Sequence, residues 1–185
     1  MGQKFFTSQI RSSFPSNTCE GELVICDGEV CSKINSEFIW TYQGSNYGYS
    51  FGGFAGTVAI DKFSFSNEAE GNCVGNLAIT SPTTDYRSSG ITSGVFGYSV
   101  GGRNLTEMEK WPFAVDENST CVGDLSTAVF AGTGHSTETD GFNSGGLTPN
   151  IQRFPFAADN TSTCVGCLGY SWQGAAGSSS TTHGY

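Results

Sequence analysis

Four times the chain writes Cys-x-Gly-x-Leu: Cys19-Glu-Gly-Glu-Leu23, Cys73-Val-Gly-Asn-Leu77, Cys121-Val-Gly-Asp-Leu125 and Cys164-Val-Gly-Cys-Leu168. Ahead of the last three runs a second motif, Ile60-Asp-Lys-Phe-Ser-Phe65, Met108-Glu-Lys-Trp-Pro-Phe113 and Ile151-Gln-Arg-Phe-Pro-Phe156. Its final Phe stands eight residues before the cysteine every time. A third motif completes the unit: Tyr47-Gly-Tyr-Ser-Phe-Gly-Gly53, Phe96-Gly-Tyr-Ser-Val-Gly-Gly102, Asp140-Gly-Phe-Asn-Ser-Gly-Gly146 and a clipped His183-Gly-Tyr185. A unit that recurs in fixed order is one supersecondary element that buries its apolar surface against its neighbours.

The units read as β-strands. Apolar groups on both faces of Ile151–Phe156 suit a strand sandwiched between two sheets. Val115–Thr120 and Ala157–Thr163 have the Asp and Asn content of hairpin turns, and the Gly-Gly pairs supply backbone freedom where strands crowd. The cysteines are spaced 54, 48 and 43 residues apart, close to the ~40–50 residues of a four-stranded propeller blade. The expected architecture is an all-β β-propeller of four repeats, centred on Cys19, Cys73, Cys121 and Cys164, making 1–185 a single repeat domain. Four blades are expected, with the N-terminal segment Met1–Phe6 pairing beside the C-terminal strand to close one of them.

These units resemble the kelch-like repeats of bacteriophage virion appendage proteins (tail and tail-fibre proteins), whose pattern runs roughly F-P-F-A-S-D-x-N-A-T-D-V-G-D-L and then G-x-S-S-x-T-H-G-Y-x-S-G-G. Phe154–Gly166, Gly177–Tyr185 and Trp111–Leu125 carry the match. It is good over about 47–185 and poor over 1–46, and Cys replaces the pattern's Asp before Val-Gly. The resemblance implies a propeller in a structural or recognition subunit of an extracellular assembly, most simply a virion appendage, and not an enzyme.

Charge narrows the partners. Seventeen acidic against eight basic side chains give −9, which repels phosphate backbones and anionic lipid. Neither nucleic acid nor membrane is expected; other protein subunits of the same assembly and surface glycans are. The first ten residues lack the apolar run of a secretory leader, and no run approaches the ~20 apolar residues of a membrane helix. Phe6 stands where a myristoylation pattern needs Ser or Thr. The sequence thus reads as a soluble chain, intracellular in origin or already processed.

No cofactor, metal or catalytic group is expected. Cys164-Val-Gly-Cys167 has zinc or redox spacing but lacks a second pair and a helical context. Seven cysteines leave at least one unpaired within the chain. The repeat cysteines are expected as small buried side chains or disulfide halves, and Cys26 with Cys31 as a local disulfide, which would place the chain in an oxidising compartment. The acidic turns lack the ligand order of a calcium loop. His135 and Asp140 invite a triad, but no G-x-S-x-G elbow accompanies them. Asn104, Asn118 and Asn160 head glycosylation sequons, which favours the second reading, a secreted N-glycosylated filament or carbohydrate-binding protein. Contacts are expected from the variable segments Ala78–Phe96, Ser126–Asp140 and Gly169–Thr182, through Tyr86, Arg87, His135 and Trp172.

Overall fold

The computed structural model describes the backbone of residues 23–26, 29–34 and 37–40, and residues 47–52, 57–65, 70–79, 87–180 and 182–185 in full. The chain divides into two compact units, Met1–Asn46 and Tyr47–Tyr185. In the first, β1 (Leu23–Cys26), β2 (Glu29–Ile34) and β3 (Glu37–Trp40) form an antiparallel meander, sheet I. Its register sets Cys26 opposite Glu29 and Cys31 opposite Val24, so the two cysteines lie diagonally across the hairpin. Met1–Phe6, the segment expected to close a blade, lies outside the described residues.

Three more antiparallel meanders make up the second unit. Sheet II holds β4 (Tyr47–Phe51), β5 (Ala59–Ser64) and β6 (Asn72–Asn76). Sheet III holds β7 (Ser89–Thr92), β8 (Phe96–Val100), β9 (Leu105–Pro112) and β10 (Thr120–Val129). Sheet IV holds β11 (Thr133–Ser136), β12 (Asp140–Ser144), β13 (Asn150–Pro155) and β14 (Thr163–Cys167). The expected all-β class is what the chain adopts, with no helix among the described residues. Two of the variable segments are more than connections, because they carry β7 and β11 as the first strands of their sheets.

Each motif has one physical job. In Gly-aromatic, the glycine pairs across the sheet with the aromatic of the Lys/Arg strand: Gly48 with Phe63, Gly97 with Trp111 and Gly141 with Phe154. The ring lies over the glycine so closely that a Cβ would enter it. In Gly-Gly, the first glycine follows β4, β8 and β12 with φ of 64°, 64° and 74° at Gly52, Gly101 and Gly145, a left-handed geometry open mainly to glycine. In Cys-Val-Gly, the ladder slips by one residue, so Val74, Val122 and Val165 are bulged between paired neighbours.

Consecutive sheets lock by a junction that occurs twice with matching parts. Trp111 of sheet III fills a cluster on sheet II with Ile60 and Leu77, flanked by Tyr49, Phe51 and Val74. Phe154 of sheet IV fills the corresponding cluster on sheet III with Ile91, Tyr98, Val100, Met108, Leu125 and Val129. Tyr49 stacks on Phe113 at 5.0 Å and Tyr98 on Phe156 at 5.2 Å. Lys62 pairs with Asp116 at 2.9 Å and Lys110 with Asp159 at 2.8 Å, each cation reaching the hairpin turn of the next sheet. That turn also presses its backbone onto the bulge glycine, Glu117 onto Gly75 and Asn160 onto Gly123.

A buried polar clamp completes each junction. Glu109, fully buried in β9, reaches back to accept the amides of Ala78 and Ile79 and the hydroxyl of Ser119. Gln152, equally buried in β13, accepts from Thr127 N–H, Ser126 Oγ and Ser162 Oγ, and donates through Nε2 to the Thr127 carbonyl. The two side chains occupy the same repeat position and hold the chain just past the leucine of the preceding Cys-x-Gly-x-Leu.

The cysteines depart from expectation. Cys73, Cys121, Cys164 and Cys167 are free thiols, and all four are exposed. The first three do share an environment, as repeat mates should: each lies on its sheet's last strand beside the bulge, and Cys73 and Cys164 direct Sγ at the carbonyl two residues on. Exposure follows from position. In sheets III and IV the first strands β7 and β11 are in close contact while the last strands β10 and β14 barely meet, so Cys121 and Cys164, at the start of those last strands, lie where the sheets have parted, while Leu125 and Val129 further along β10 are buried.

Candidate functional site

On the side of sheet IV facing away from sheet III lies a cavity of about 490 Å³, roofed by Trp172, Ala175, Ala176 and residues 182–185. Sheet IV supplies His135, Phe142, Ser144, Ile151 and Leu168. By strand register and repeat position these stand where sheet III carries Ile91, Tyr98, Val100, Met108 and Leu125, the set that Phe154 fills. The cavity is therefore the junction cluster of sheet IV without the aromatic that plugs it in the two preceding sheets.

The roof is the start of another hairpin. Ser178 and Tyr185 exchange both backbone hydrogen bonds, and Ser179 bridges Gly184. Gly177 lies against Thr133 and His135, as Gly134 of β11 lies against Gly90 of β7. Ser136 N–H donates to Ser179 Oγ at 3.1 Å, and Gly146 N–H to the Trp172 carbonyl at 2.6 Å. Trp172, 57% exposed, rims the opening with Tyr170 edge-on at 6.1 Å.

Two predicted binding residues, His135 and Trp172, thus meet in one cavity although 37 positions separate them. Arg87 lies elsewhere, its guanidinium 5.1 Å from the Phe130 ring. Tyr86 falls outside the described residues. The sequence reading missed the apolar floor, Phe142, Ile151 and Leu168. Its signal was the repeat itself, since each residue holds a core position in an earlier unit.

The triad reading of His135 does not fit the geometry. Nε2 lies 2.9 Å from Ser144 Oγ, but Nδ1 faces the Ser178 carbonyl at 3.2 Å. Facing a carbonyl, Nδ1 is the donor of its bond, while Nε2 pairs with the Ser144 hydroxyl. The orienting acceptor is a backbone carbonyl, and Asp140 turns to Arg153 instead, 3.8 Å away. Among the described residues no cluster of His, Cys, Asp or Glu has the makings of a metal site.

The sequons have surface positions. Asn104, Asn118 and Asn160 are exposed, and Asn118 Oδ1 accepts the Asn76 amide across the junction. No protein-family model matches the chain, and comparison with curated proteins finds no match.

Proposed function

We propose that the chain is a non-enzymatic structural or recognition subunit of an extracellular assembly, of the virion-appendage kind that its repeats resemble. Its sheets are blades of a propeller, a reading supported by sheets III and IV, whose first strands β7 and β11 meet while their last strands β10 and β14 diverge. The observation that carries the proposal is the twice-repeated junction. The buried carboxylate Glu109 and the buried amide Gln152 are both committed to holding one sheet on the next, and the cavity of sheet IV is a third copy of that cluster without its aromatic plug. Light scattering of the purified chain, with ester, peptide and glycoside turnover measured alongside, tests it. Assembly without turnover is expected; turnover of any of these substrates would overturn it.

A carbohydrate-binding reading has its own support in exposed Trp172 at the cavity rim and its ring neighbour Tyr170, aromatic faces of the kind that stack on sugar rings. Replacing Trp172 with Ala tests it on immobilised cell-surface glycans. Loss of binding with assembly intact supports this reading; unchanged binding, or none by the native chain, removes it.

A further inference from the structure

We propose that the open cavity of sheet IV is a socket for a second copy of this chain, entered by the exposed strand Phe63-Ser-Phe65 of that copy. The inference rests on the reading of the chain as an assembly subunit and names the partner.

Key and socket are both present and both unmatched within the 47–185 unit. Trp111-Pro-Phe113 and Phe154-Pro-Phe156 plug the clusters of sheets II and III, with Trp111 and Phe154 each 2% exposed. Phe63 and Phe65 occupy the same positions in β5 and just beyond it, yet are 37% and 65% exposed. At the other end, Phe142 stands where Tyr49 and Tyr98 each stack on an incoming Phe. Gly166 stands where Gly75 and Gly123 each receive a turn, and it meets nothing closer than its own sheet's Ile151 at 3.7 Å.

Charge agrees with this pairing. Arg153 holds the place of Lys62 and Lys110, which reach an aspartate in the following turn, but its side chain is 51% exposed and its carboxylate contact lies within its own sheet. In the sequence, Glu68 follows Phe65 by three residues and so holds the repeat position of Asp116 and Asp159. The exposed residues 182–185 lie where a second strand belongs, and they give way to β4 of the incoming copy. Because different surfaces meet, the contact is heterologous, and it builds rings or open filaments.

Sedimentation velocity of the full chain over a concentration series tests the proposal with two variants. Phe65→Asp spoils the key; Arg153→Glu with Val165→Asp spoils the socket at positions that are exposed in the single chain, so folding is retained and is checked by circular dichroism. The native chain is expected to gain mass with concentration, and each variant to stay monomeric. An equimolar mixture of the two variants should form dimers and stop there, since one good key meets one good socket. Assembly that ignores both variants would overturn this docking mode and leave the subunit reading standing. A native chain that stays monomeric and shows no turnover would assign the socket to another occupant and also overturn it. Turnover would instead remove the subunit reading beneath it.

Discussion

Glu109 shows how much of the fold can depend on one side chain. Buried carboxylates are costly unless every oxygen is bonded, and this one has three donors from two sheets. Glu109→Ala leaves the Ala78 and Ile79 amides without that acceptor and should cost about 2–5 kcal/mol. Glu109→Gln should cost less, because Gln152 performs the same task with an amide; urea denaturation of the two variants checks the order. Tyr49 and Tyr98 lie under junction aromatics, and burial pushes both phenols up from their ordinary value, with Asp159 adding to the rise at Tyr98. The Lys62 ammonium is also held up, chiefly by its bond to Asp116. In all three the raised value belongs to the folded state, so their stabilisation is complete below about pH 10 and is lost as pH climbs through the folded values. The urea midpoint should therefore fall between pH 9 and pH 11, and Tyr98→Phe should shrink that fall; an unchanged fall in the variant contradicts this assignment.

At the scale of the strand, the bulge in Cys-Val-Gly tells working junctions from the open one. A methyl group on Gly75 or Gly123 meets the backbone of the next sheet's turn, and Gly123 has φ of 155° besides. Gly75→Ala and Gly123→Ala should each cost about 1–3 kcal/mol. Gly166→Ala, with ordinary contact to Ile151 alone, should lie within about 0.5 kcal/mol in the monomer. Equal costs at all three positions would mean that the turns do not seat on the glycines. Much of this was legible in the sequence. The invariant eight-residue gap marked a strand followed by a turn and the Cys-Val-Gly segment, and the flanking segments pair as β5–β6, β9–β10 and β13–β14. What stayed illegible was depth: Cys121 and Leu125 belong to one motif, yet the cysteine is exposed and the leucine buried. Periodicity tells which residues share a face, whereas the divergence of neighbouring sheets decides whether that face is covered.

Over the whole molecule, the site was harder to read than the fold. His135 and Trp172 were picked as contact-making residue types in variable segments, and they came together because the tail starts another hairpin against β11. Arg87 satisfied the same criterion and lies on Phe130, since residue type alone does not say which loops converge. The thiols offer a global check on the arrangement. Cys73, Cys121, Cys164 and Cys167 should all react with a thiol reagent without denaturant, and peptide mapping should find each one labelled; protection of one repeat mate alone would break the equivalence of the units.

The clamp that joins the sheets also has a consequence in time. Ala78 and Ile79 lie beyond the end of β6, where a chain's amides ordinarily trade their hydrogens with water quickly, yet Glu109 holds both from the neighbouring sheet. Their deuterium uptake should be as slow as that of the strands around them, and it should accelerate together when Glu109 is replaced. A segment without regular structure would then report the separation of two sheets.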